Sequence, residues 1–295
     1  MKKKKLTLLI SIILILGLLA ACGNASGGND SAAGHDGHGG QNATDDKENS
    51  NNGHSGHGDN AQTTESSNLE ASFNFVSGGA KANEDTELAI QITGDDGKPI
   101  NDYEVNHEKL LHLIIVNHDL SFFNHIHPEF QGEGKFTVET SFPAGGEYKV
   151  FADFIPSGGA NLTLSDWVEV EGKEGEHADI TPDTNLIQEV SGKEIELALS
   201  GMKPKEEITL SFTIRDSVTK EGISNLEPYL GAVGHVVILS ADAESYLHVH
   251  PLDEKATGPV AEFATTFPQS GTYKIWGQFQ HNGEVITVPF VVEIK

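Results

Sequence analysis

From Leu69 onward, apolar and polar residues alternate in short runs. Successive side chains on a strand point to opposite faces, so a period of two marks a strand buried on one side. The runs Ala71 to Val76, Glu87 to Thr93, Leu110 to Val116, Phe122 to His127, Lys135 to Ser141, Glu147 to Phe154 and Asp166 to Glu171 are predicted strands. Between them stand Ser77-Gly78-Gly79, Gly94-Asp95-Asp96-Gly97 and Ala144-Gly145-Gly146, the residue types that turns require. No run carries the three-to-four-residue apolar repeat of an amphipathic helix. Short strands at regular spacing, with turns between them, predict an all-β, Ig-like sandwich.

The pattern then recurs. Leu88-Ala89-Ile90-Gln91-Ile92 matches Leu210-Ser211-Phe212-Thr213-Ile214, an offset of 210 − 88 = 122 residues. Phe142-Pro143 matches Phe267-Pro268, an offset of 267 − 142 = 125, and Gly146-Glu147-Tyr148-Lys149 matches Gly271-Thr272-Tyr273-Lys274. Two tandem sandwich domains follow, 69–172 and 185–295, joined by a charged linker at 173–184 that contains His177. Phe151, Phe154, Trp276 and Phe279 are expected in the cores, and His281 on an exposed hairpin.

Against this background of drift, one constellation is kept. The first copy reads HLIIVNHDLSFFNHIHP, His112 to Pro128, and the second HVVILSADAESYLHVHP, His235 to Pro251. The spacing is the same in both, 125 − 112 = 13 and 248 − 235 = 13. In a His-x-His pair on a strand both side chains share one face. Folding Leu111 to Val116 onto Phe122 to Ile126 around His118-Asp119 is expected to place His112 opposite His125. The second copy is expected to do the same around Ala241-Asp242. His112, His125 and His127 then form one metal site and His235, His248 and His250 another. Three neutral imidazoles suit Zn(II) or Cu(II). Asp153 and Gln278 are candidates for orienting an imidazole. The competing reading makes His112 and His235 core residues and His-x-His-Pro an edge turn.

The N-terminus gives a location. Lys2 to Lys5 precede an apolar stretch, Leu6 to Leu19, and Leu19-Ala20-Ala21-Cys22 has the form of a bacterial lipobox. Residues 1–21 are therefore expected to be a signal peptide, with Cys22 lipidated and the protein held on the extracytoplasmic face of the cell membrane. Cys22 is the only cysteine, so disulfides and thiolate metal sites are excluded from the mature chain. Residues 22–68 are rich in Gly, Asn, Ser, Asp and His and read as a disordered tether. Its pairs His35/His38 and His54/His57 are candidates for weak metal uptake. The net charge of −25 becomes −25 − 4 = −29 on loss of the four leader lysines, and Arg215 is the only arginine. That balance excludes nucleic acid as a partner, since binding it requires clustered cations.

The string Pro228-Tyr229-Leu230-Gly231-Ala232-Val233-Gly234-His235, followed by Tyr246-Leu247-His248-Val249-His250-Pro251, resembles secreted bacterial domains of the YtkA and FixH type. These are Ig-like or cupredoxin-like sandwiches associated with copper and other heavy metals. The first copy lacks the Tyr-Leu-Gly-Ala string. The resemblance implies copper in preference to zinc, bound for buffering, sequestration or delivery to a membrane transporter. A blue-copper centre is excluded because it needs a thiolate. With Met1 lost in the leader, Met202 is the only methionine, which argues against a Met-based Cu(I) store. The cupin fragment His248-x-His250-x3-Glu254 has no equivalent in the first copy, where Glu129 follows His127 too closely. No catalytic constellation stands out, and the expectation is a non-enzyme. The alternative in another class is an Ig-like adhesion or envelope interaction module that binds no metal.

Overall fold

The computed structural model describes residues 68–295. Cys22, His35, His38, His54 and His57 lie outside the described residues. The first half contains β1 (Glu70–Phe75), β2 (Ala80–Lys81), β3 (Asp85–Thr93), β4 (Tyr103–Glu104), β5 (Leu111–Asn117), β6 (Phe123–Ile126), β7 (Glu129–Gly132), β8 (Lys135–Ser141), β9 (Gly146–Pro156) and β10 (Leu162–Glu171). The second contains β11 (Ile187–Val190), β12 (Lys193–Leu199), β13 (Glu207–Asp216), β14 (His235–Ser240), β15 (Tyr246–Leu247), β16 (His250–Pro251), β17 (Val260–Thr266), β18 (Gly271–His281) and β19 (Glu284–Ile294). The described residues contain no helix.

Each half is a two-sheet sandwich. The first pairs β1-β3-β8-β7 in one sheet and β2-β10-β9-β5-β6 in the other, with β4 on β9. The second pairs β11-β12-β13-β17-β16 against β15-β14-β18-β19. In β3 the alternation is clean, with Leu88, Ile90 and Ile92 turned into the first core beside Phe136, Val150 and Phe154. Leu210, Phe212 and Ile214 on β13 do the same in the second core, against Phe263, Ile275 and Phe290.

Two strands depart from the alternation, and they position the site. Every residue from Leu111 to Val116 is buried, as is every residue from Val236 to Ser240. A strand that is apolar on both faces must be covered on both. The outer faces of β5/β9 and β14/β18 cover each other, and a third apolar core forms between the sandwiches. Ile114, Val116, Leu120 and Phe151 come from the first, and Val237, Leu239, Ala243 and Trp276 from the second.

The contact is self-complementary, as between the halves of a symmetric dimer. Phe123 stacks on Trp276 at 4.6 Å between ring centroids, and their counterparts Tyr246 and Phe151 meet at 5.8 Å. Lys149 donates to Glu244 at 2.7 Å, while its counterpart Lys274 donates to the Leu120 carbonyl at 2.7 Å. The duplication thus packs one copy on the other through the same face.

Candidate metal centre

β5 and β6 pair with Leu113 opposite Ile126 and Ile114 opposite His125. The register differs by two residues from the one expected, so His112 lies across from His127 rather than from His125. A slip of one residue would turn the side chains away, but a slip of two keeps the face. The face is the one turned towards the second sandwich, since it also carries Ile114 and Val116. His112, His125 and His127 meet there with ring centroids 5.3, 4.9 and 4.8 Å apart. One nitrogen of each lies within 4.8 Å of the others.

Hydrogen bonds fix the tautomers. His112 Nε2 is 2.9 Å from the carbonyl oxygen of Asn106, which can only accept, so Nε2 carries the proton. His125 Nδ1 is 2.7 Å from Gln278 Oε1 and donates to it. The amide is oriented in turn, because Gln278 Nε2 donates to Thr287 Oγ1 at 3.1 Å. The remaining nitrogens, His112 Nδ1 and His125 Nε2, are therefore both unprotonated, and they face each other at 3.1 Å.

Two lone pairs at that distance repel unless a cation lies between them. A shared proton does not serve at neutral pH. Burial holds His112 down to about 4 and His127 to about 3. Burial, then the neighbouring imidazole of His112, holds His125 well below its usual range. A divalent ion serves. Nitrogens about 2.0–2.1 Å from one ion at a near-tetrahedral angle lie about 3.3 Å apart. His127 Nε2 is buried and has no hydrogen-bond partner. The set is neutral, convergent and held from behind, which is what imidazole ligation requires.

The second hairpin does not assemble in the same way, and the expected trio of His235, His248 and His250 does not come together. β15 ends at Leu247, and β16 pairs instead with β17 of the opposite sheet, His250 opposite Ala264. The second His-x-His has therefore left the sheet that carries His235. His248 Nδ1 lies 3.2 Å from Asn161 Nδ2 and 3.9 Å from Asp153 Oδ1, and His250 is exposed. Both line a cavity of about 130 Å³ with His107, Asp153, Asn161 and His235. His235 turns to the first hairpin, lying parallel to His112 within 8° at 5.4 Å and 4.8 Å from His125.

The two orienting candidates act across the interface. Gln278 of the second sandwich holds His125 of the first, and Asp153 of the first faces His248 of the second. Asp119 and Asp242, also kept between the copies, are turn residues. Asp119 accepts from Ser121 N and Ala178 N, and Asp242 from Ser240 Oγ and Glu244 N. His118 stacks on Trp167 at 4.1 Å and lies apart from the cluster. His281 sits beside Asn225 at 3.3 Å. His107 carries no mark in the sequence, yet its ring lies 5.4 Å from that of His235.

A family profile described as "Domain of unknown function (DUF8832)" matches residues 65–172 and again 188–295. The match does not confirm the resemblance to the YtkA and FixH type. No curated protein matches the chain significantly. Among solved structures, the chain is similar to the Escherichia coli adhesin FdeC, with 16% identity over 77% of this chain and 65% of that one, TM-score 0.26. It is similar to the Yersinia pseudotuberculosis adhesin InvE, with 11% identity over 77% of this chain and 60% of that one, TM-score 0.26. It is also similar to a pair of titin Ig domains, with 11% identity over 78% of this chain and 97% of that one, TM-score 0.20. The chain thus spans less than two thirds of either adhesin structure. Likeness at this level carries no inference about a ligand or partner.

Proposed function

This chain belongs to the DUF8832 family, whose domain it carries twice, and we propose that it binds a divalent transition metal at His112, His125 and His127. The observation that carries this reading is the facing pair of unprotonated nitrogens, His112 Nδ1 and His125 Nε2, at 3.1 Å. Copper is preferred over zinc. Imidazole sites bind Cu(II) more tightly in the Irving–Williams order, and the second-copy string resembles copper-associated YtkA and FixH domains. Lipid on Cys22 would hold the protein on the extracytoplasmic face of the membrane. There the tether pairs His35/His38 and His54/His57 would capture metal weakly, and the buried cluster would keep it. The role is buffering, sequestration or delivery to a membrane transporter.

The test uses residues 61–295, which form one compact unit and exclude the tether histidines. The metal-free fragment is titrated calorimetrically with Cu(II) and with Zn(II). The expected result is one tight equivalent, lost in His125→Ala. A fragment that takes up neither ion above background removes the metal reading and leaves the Ig-like adhesion or envelope module.

A further inference from the structure

The first hairpin supplies three ligands, and tetragonal Cu(II) and tetrahedral Zn(II) both take at least four. We propose that His235 supplies the fourth from the second sandwich, so that one ion is shared between the sandwiches and fastens them together. This rests on the reading of the hairpin cluster as a metal site and extends it across the interface.

Three observations carry the proposal. Backbone pairing sets His235 directly opposite Gln278 on β14 and β18, and paired residues share a face. The Gln278 side chain reaches the first sandwich and holds His125 at 2.7 Å, so its neighbour His235 is turned to the same hairpin. The ring of His235 lies 4.8 Å from that of His125, the same separation as between His125 and His127 within the cluster. His235 Nε2 is buried without a hydrogen-bond partner, as is His127 Nε2. A buried polar atom left unpaired is destabilising, and two around one cluster point to a common ligand.

The position is also fixed from behind. A Cβ at Gly234 would stand 2.6 Å from both the Gln278 carbonyl oxygen and the Phe279 ring. The residue before His235 therefore lies hard against β18, and β14 has little freedom to carry His235 elsewhere. His235 stacks on His112 and stands outside the group of three whose nitrogens lie within 4.8 Å of one another. Its part is to swing from that stack onto the ion.

The experiment compares residues 61–295 with the His235→Phe variant, which keeps a planar ring in the stack but offers no nitrogen. Affinity for Cu(II) and Zn(II) is measured by competition with a chelator. Amide hydrogen exchange is followed in β14 and β18 with and without metal. In the native sequence, metal is expected to slow exchange in both strands. In His235→Phe, affinity is expected to fall by about 100-fold or more, and protection to be confined to the first hairpin. His235→Ala, checked for a native melting transition, serves if the Phe variant disturbs packing. Affinity within twofold of native, with the same protection of β14 and β18, overturns the shared site and leaves the hairpin site standing. Absence of binding by the native fragment overturns both.

Discussion

His125 is held by a side chain 153 positions away in the sequence. An imidazole ligand is tuned by what its second nitrogen donates to, and loss of that partner typically costs 10–100-fold in metal affinity. Gln278→Leu is therefore expected to weaken binding by about that factor without abolishing it, measured by chelator competition. His125→Ala and His127→Ala are each expected to abolish tight binding, with the double variant no worse, because ligands of one ion act as a unit. His112 is a poorer probe. It is 1% exposed, so His112→Ala also leaves a cavity.

The same burial sets a pH dependence in the metal-free protein. Unfolded imidazoles take up protons near pH 6.5, whereas folded His112 resists until about 4. Between these values the unfolded state binds more protons, so stability falls as pH drops through that window and is flat above it. His112 alone contributes on the order of 3 kcal/mol, with His125 acting in the same sense. Asp153, raised by burial, works in the opposite sense and softens the fall. Urea midpoints at pH 7, 5.5 and 4.5 check this, and a midpoint independent of pH would count against neutral buried imidazoles. The three histidines of the first hairpin were legible from spacing alone. Gln278 was legible too as an orienting residue, though not that it serves the histidine of the other sandwich. The Asn106 carbonyl was not, because a backbone acceptor has no motif.

At the level of strands, the alternating runs and turn residues placed β3, β8 and β13 on sequence alone. The apolar stretches of β5 and β14 read as strands too, but a continuous run does not say what covers its second face. The contrast between the two hairpins was likewise hidden. Both carry His-x-His-Pro at the same spacing, yet β6 runs four residues and β15 only two. Where β15 stops, His248 and His250 pass to the other sheet. If the third core positions Gln278, loosening it should also weaken metal binding. Trp276→Ala removes the ring stacked on Phe123 and is expected to cost about 3–5 kcal/mol by urea unfolding, with a clear loss of metal affinity. Phe263→Ala, in the second core, makes a cavity of similar kind but leaves the interface in place. Its destabilisation should be comparable and its affinity close to native. Equal affinities in the two variants would show that the interface does not position the site.

For the whole molecule, duplication supplied two copies of one surface, and their association sets Gln278 and His235 of the second copy against His125 of the first. A residue facing solvent in a single domain faces its own repeat here, so β5 and β14 stay apolar on both sides. The family match identifies two domains but is silent about how they pack. With Ile114, Val116 and Phe151 buried only by the partner sandwich, separation would expose apolar surface on both. The two sandwiches are therefore expected to melt together, in one calorimetric transition, rather than as beads on a string. Metal that binds only the joined form raises that transition, by about 2.7 kcal/mol at a free concentration of 100 times Kd. Residues 69–172 alone keep His112, His125 and His127 but lose Gln278, so they should bind metal at least about tenfold more weakly. Residues 185–295 alone, in which His250 pairs with the sheet opposite the one that carries His235, should show no tight site. Mixing the two pieces should restore affinity and single-transition melting together, since both depend on one surface. Two independent transitions in the intact protein, with full affinity in the first piece alone, would instead mean that each sandwich acts for itself.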